Sequence, residues 1–141
     1  MKNFRKVSIG IFINENKEIL LQKRGKYSKN GEDYAFFGGG AEKNETPEKT
    51  FIREMREELG LLMKDFDYEF LGTYETFYEK NDFLAIRSIF VIKTDKKLEE
   101  FKVFEGEKAE YFSIFEARKL KFPNPVLEIF DLVEKYIQEN F

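Results

Sequence analysis

Runs of apolar residues along the chain switch between a strand period and a helix period, and each switch predicts a new element. Val7 to Ile13 is rich in β-branched residues, and Glu18 to Lys23 carries Ile19, Leu20 and Leu21. The polar run Asn14-Glu15-Asn16-Lys17 between them predicts a hairpin turn. From Gly25 to Asp33 the chain turns polar and reads as a surface loop, before a short aromatic strand at Tyr34 to Phe37 and the glycine run Gly38-Gly39-Gly40.

The period then becomes helical. Thr46 can accept a hydrogen bond from a free amide, Pro47 tolerates the first helical position, and Gly60 supplies a stop. At about 100° per residue, Phe51, Ile52, Met55 and Leu59 gather on one side, and Glu54, Glu57 and Glu58 on another. The first stripe is predicted to pack, and the second to look into a cleft or solvent.

Tyr68 to Tyr78 and Phe83 to Lys93 both have strand composition, joined by Glu79-Lys80-Asn81-Asp82 as a turn. A short strand at Ala109 to Phe112 follows the acidic loop Glu105-Gly106-Glu107, and Ser113 opens a short helix. Val126, Ile129, Phe130, Val133, Tyr136 and Ile137 recur at helical spacing, which predicts a closing helix laid over the sheet. This mixed order favours α/β class, an α/β/α arrangement around a mixed β-sheet.

At 141 residues the chain is long enough for one compact domain, expected to span residues 1–141. Its 17 Phe and 7 Tyr suffice for an aromatic-rich core. A formal charge of -3 supplies no broad basic field, so bulk nucleic-acid binding is not expected, although a polyphosphate can still bind locally. Cysteine and histidine are both absent. That excludes disulfides, zinc thiolate sites, a cysteine nucleophile, a serine triad and an imidazole base, and leaves oxygen as the ligand for any metal. No stretch approaches the roughly 20 apolar residues that span a bilayer, so a soluble cytoplasmic protein without membrane partners is expected.

An acidic trio at helical spacing just after a glycine run suits hard cations such as magnesium. The segment from Gly39 to Leu61 also resembles the Nudix box: Gly, five residues, Glu, seven residues, then Arg-Glu-apolar-x-Glu-Glu-x-Gly-apolar. Gly39, Glu45, Arg53, Glu54, Met55, Glu57, Glu58, Gly60 and Leu61 fill every fixed position over 23 residues. One departure is Phe37, where many members of that family carry proline before the glycines.

The resemblance implies a Nudix fold and metal-dependent hydrolysis of a nucleoside triphosphate or nucleoside diphosphate derivative, with water attacking a phosphorus of the pyrophosphate. Physical chemistry agrees, because a pyrophosphate repels hydroxide and bound cations remove that repulsion. Mg2+ or Mn2+ is the expected cofactor. Glu54 and Glu58 are the main candidate ligands, with Glu57 as a further one and, by resemblance, the Gly38 carbonyl. Arg53 is a candidate to orient Glu57, its neighbour at i+4, and Glu45 a candidate support. Glu105 or Glu107 is a candidate general base or extra carboxylate, with Glu107 preferred, and a glutamate of the box, with Glu57 as the catalytic candidate, is the alternative base. Gly39 permits close backbone approach, Arg24 and Arg87 are candidate phosphate contacts, and Phe36 or Phe37 a candidate base-stacking ring.

The expected partner is a small-molecule nucleotide, and a homodimer is compatible with it. The rival readings are a catalytically silent nucleotide-sensing Nudix module and a pyrophosphatase for ADP-ribose or nucleotide sugars. RNA-end processing fits the charge balance poorly. An isoprenoid isomerase of this fold would need a cysteine, which this chain lacks.

Overall fold

The computed structural model describes residues 3–25, 33–122 and 126–141. Most of the polar loop expected from Gly25 to Asp33, and the side chain of Val126, lie outside the described residues. Strands β1 (Asn3–Ile13), β2 (Ile19–Lys23), β3 (Tyr34–Ala35) and β4 (Phe37–Gly40) precede helix α1 (Pro47–Leu59). Strands β5 (Asp67–Tyr78), β6 (Phe83–Lys93) and β7 (Lys108–Phe112), then helices α2 (Ile114–Ala117) and α3 (Val126–Asn140), complete the order.

All the strands share one mixed sheet, ordered β3-β2-β1-β6-β5, with β4 paired to β1 and β7 to β2. β5 and β6 form the long antiparallel hairpin that their composition predicts. The leading hairpin is weaker than expected: β1 and β2 pair only where Ile13 meets Ile19. Along its whole length β1 runs parallel to β6, and Val7 to Gly10 pair antiparallel with Phe37 to Gly40. The aromatic strand therefore breaks at Phe36 and resumes through the glycines, which are strand rather than turn.

A strand buried on both faces sends alternate side chains into two cores. Ile9, Ile11, Ile13, Ile19, Leu21, Ile89 and Val91 pack beneath Ile129, Phe130, Val133, Tyr136 and Ile137 of α3. Their strand neighbours Phe12, Leu20, Phe90 and Ile92 pack beneath Phe51, Met55 and Leu59 of α1. Phe51 and Phe90 stack with ring centroids 4.4 Å apart. The helices thus cover opposite faces, as the α/β/α expectation requires. Ile52 is exposed instead of packed; it lies one residue, about 100°, past Phe51, and that turn carries it off the buried stripe.

Candidate active site

α1 is fixed at both ends by the residues that predict it. The Thr46 hydroxyl accepts from the Lys49 amide at 3.2 Å, and the Gly60 amide donates to the carbonyls of Arg56 and Met55. With Phe51, Met55 and Leu59 turned into the sheet, Glu54 and Glu58 face β4 and are buried, at 9% and 2% exposure. Glu57 projects to the rim.

Two glycines make this burial possible. Gly38 has φ +147, and a Cβ there would run into the Ser8 carbonyl. Its amide donates to Glu58 Oε1 at 2.7 Å. A Cβ on Gly39 would stand 2.5 Å from the Glu54 carboxylate, so only glycine leaves room for that side chain.

Arg53 ties the remaining carboxylates together. Its Nε donates to Glu45 Oε2 at 2.7 Å, and Nη2 donates to Glu45 Oε1 and to the Gly40 carbonyl, each at 2.9 Å. Nη1 donates to Glu54 at 2.9 Å and to Glu57 at 3.2 Å. This is more than the single i+4 pair expected with Glu57. Hydrogen bonding to Arg53 holds the Glu45 carboxyl down at about 2, and the same bonds raise the guanidinium's own pKa.

The third member of the acidic cluster comes from the loop before β7. One carboxylate oxygen each from Glu54, Glu58 and Glu105 lie within 4.8 Å of one another. Glu107, the residue preferred from sequence, is outside this cluster: its amide donates to the Lys23 carbonyl and its carboxylate lies against Gly25. Burial pushes Glu58 up to about 8, helped by the nearby charges of Glu54 and Glu105 and opposed by the Gly38 amide. Burial also raises Glu54, against the pull of Arg53.

Two buried carboxylates at such separations repel by roughly 3 kcal/mol at an effective dielectric constant near 20. Glu58 also lies in the last turn of α1, where the helix dipole disfavours negative charge. The Gly38 amide and the Arg53 guanidinium offset only part of this cost, since both carboxyls stay raised. A hard cation held by oxygen ligands would relieve both penalties, so Glu54, Glu58 and Glu105 fit a magnesium-type ion.

The other sequence candidates are dispersed. Arg24 donates to Gln22 Oε1 at 3.1 Å. Arg87 lies on the α3 face, donating to the hydroxyls of Thr76 and Tyr78 at 3.0 Å each. Phe36 is a core ring between Phe122 and Phe130, and Phe37 is fully buried on the α1 side. Gln22, which the sequence reading passed over, is buried at 1% exposure, and its amide reaches both Glu58 and the Phe36 carbonyl.

The family model described as NUDIX domain matches residues 4–132. This chain belongs to the Nudix family. An 8-oxo-dGTP diphosphatase of Escherichia coli strain K12 is 33% identical to this Nudix chain over 78 residues, 51% of the chain and 60% of that protein. The match therefore spans less than two thirds of the relative's length. Among solved structures, the dihydroneopterin triphosphate pyrophosphohydrolase of E. coli superposes with a TM-score of 0.75 at 12% identity, covering 98% of this chain and 99% of that one. The MutT protein of Methanosarcina mazei Go1 gives 0.73 at 20% identity, covering 99% and 96%. These two likenesses establish the shared Nudix fold. No helix among the described residues is long and apolar enough to cross a membrane.

Proposed function

We propose that this Nudix domain, acting in the cytoplasm, hydrolyses the pyrophosphate linkage of a nucleoside triphosphate or related nucleoside diphosphate derivative. The reading is carried by the convergence of Glu54, Glu58 and Glu105 beside the glycine strand. Similarity to an 8-oxo-dGTP diphosphatase supports a nucleoside triphosphate as substrate class.

Glu54, Glu58 and Glu105 would hold the cation, Mg2+ or Mn2+, with Glu57 and the Gly38 carbonyl at its edge. When bound, the ion supplies positive charge against the diphosphate and acidifies a neighbouring water. The chain's own groups do the positioning. Gly38 and Gly39 let the substrate phosphates approach the backbone, and Arg24, bonded to Gln22, serves as a phosphate contact. Arg53 fixes Glu54 and Glu57 through one nitrogen. Glu57, exposed at the rim, accepts the proton of the attacking water as the bond from phosphorus to the leaving oxygen breaks.

The test is a panel of nucleotides incubated with purified protein and magnesium or manganese, with products identified by mass. Wild-type protein should release pyrophosphate or phosphate-bearing products, and Glu58→Gln should abolish release while keeping its circular dichroism. Full turnover by that variant rejects the proposal. Tight nucleotide binding without any product would favour a sensing module.

A further inference from the structure

Gln22 interrupts an apolar pattern at one informative place. On the α1 face of β2, Leu20 packs beneath the helix, whereas the next residue on that face, Gln22, lies under Glu58. A buried amide costs free energy unless its polar atoms are bonded, so a core position does not favour glutamine without a reason. Here every atom of the amide is engaged. Nε2 donates to the Phe36 carbonyl at 3.0 Å and makes a longer contact of 3.5 Å with Glu58 Oε2, while Oε1 accepts from Arg24 Nη1 at 3.1 Å. The reverse amide orientation would set oxygen against two acceptors and NH2 against a cation, which fixes this one.

The loop that carries Glu105 rests on the same side chain. Gly106 has φ +102, and a Cβ there would come within 2.6 Å of Gln22 Oε1. On either side of it, the Phe104 amide donates to the Glu58 carbonyl at 2.8 Å and the Glu107 amide to the Lys23 carbonyl at 2.9 Å. Gln22 therefore touches one oxygen of Glu58 while the Gly38 amide holds the other, and it lies beneath the turn that delivers Glu105.

We propose that Gln22 is a positioning residue for the carboxylate cluster, holding Glu58 Oε2 and supporting the Glu105 loop so that Glu54, Glu58 and Glu105 converge on a divalent cation. This rests on the cation-binding reading above. Groups that orient metal ligands typically change affinity or activity by about 10–100-fold when removed.

The measurement is Mn2+ binding to the full, nucleotide-free chain, followed by the electron paramagnetic resonance of free Mn2+. Gln22→Met conserves volume and removes the amide; Gln22→Asn keeps an amide but withdraws it by one methylene, and stands in should the first variant fail to fold. Each is expected to weaken Mn2+ binding by about tenfold or more, with turnover restored toward wild type at saturating Mn2+. In a Glu58→Gln background, Gln22→Met should cause a smaller further loss, that of the Glu105 loop's support alone, because the contact with the Glu58 carboxylate is already removed.

A folded variant with Mn2+ affinity within about twofold of wild type overturns the inference, as does an equal loss in the Glu58→Gln background. A change in melting temperature alone, with Mn2+ affinity unmoved, would mean that Gln22 merely satisfies the Phe36 carbonyl. Failure of the wild-type chain to bind Mn2+ would remove the cation reading itself, so the two failures are distinguishable.

Discussion

Arg53 and Glu45 meet as two parallel hydrogen bonds, Nε to Oε2 at 2.7 Å and Nη2 to Oε1 at 2.9 Å, across eight residues of chain. Only a guanidinium can make this fork and still direct Nη1 at Glu54 and Glu57. The Thr50 hydroxyl also donates to Glu45 at 2.8 Å, so the loop before α1 is fastened to the helix at the point where the acidic cluster begins.

Arg53→Lys is accordingly not a conservative change. A single ammonium cannot hold Glu45, Glu54 and Glu57 at once, and misplacing reacting groups by about 1 Å can cost on the order of a hundredfold in rate. The expected outcome is a fall in kcat of that order, with KM changing much less, read from steady-state kinetics on the best nucleotide of the panel. An unchanged kcat would show that the arginine only decorates the helix.

Gly39→Ala tests the close approach of β4 to α1. The new methyl would stand 2.5 Å from the Glu54 carboxylate, which must then swing away. Because Glu54 is a terminal carboxyl and the β4 backbone keeps its pairing with Ser8, the fold should survive. Far-ultraviolet circular dichroism is expected to match wild type while Mn2+ affinity and turnover both fall by at least about tenfold.

The pH dependence of stability follows from Glu58. Burial lifts this carboxyl from 4.5 to about 8, so between those values the native state binds more protons than the unfolded chain. Stability rises with pH only where the unfolded state binds more protons, and here the sign is opposite. The contribution is complete below pH 4.5 and lost as pH climbs through about 8. Thermal scans in chelator should show the melting temperature of the wild type falling from pH 6 to pH 8.5. Magnesium should abolish much of that fall by stabilising the ionised carboxylate, and Glu58→Gln should flatten it without metal.

How much of this was legible from sequence depends on how local each cause is. α1, its Thr46 and Gly60 caps and the spacing of Glu54, Glu57 and Glu58 follow from contacts within a few residues, and all can be read directly. Pairing of β1 with β6 brings together residues about 80 positions apart, and two strands buried on both faces carry no alternation to mark their neighbours. The turn at Asn14 to Lys17 suggested a fuller hairpin than the single pair at Ile13 and Ile19. The exposure of Glu57 against the burial of Glu58 depends on how α1 rolls on the sheet. That roll is set by Phe51, Met55 and Leu59 without Ile52. Gln22 left one trace, an amide in an apolar run, whose meaning appears only once Glu58 lies above it.

Choosing between Glu105 and Glu107 shows the same limit and supplies a sharp test. Two acids flanking one glycine look equivalent in sequence, but strand pairing places their side chains differently. The Glu107 amide continues the β2 edge through the Lys23 carbonyl, which turns its side chain to Gly25, whereas the Phe104 amide bonds the end of α1 and leaves Glu105 facing the cluster. Glu105→Gln removes one negative charge and one strong oxygen donor from the proposed cation site; Glu107→Gln removes neither from that cluster. Glu105→Gln is therefore expected to weaken Mn2+ binding and lower turnover by about tenfold to a hundredfold, and Glu107→Gln to leave both within about threefold of wild type. Both substitutions conserve side-chain size, so circular dichroism and melting temperature serve as controls. A larger loss for Glu107→Gln than for Glu105→Gln would mean that the loop rearranges when substrate and cation bind, bringing the second acid inward.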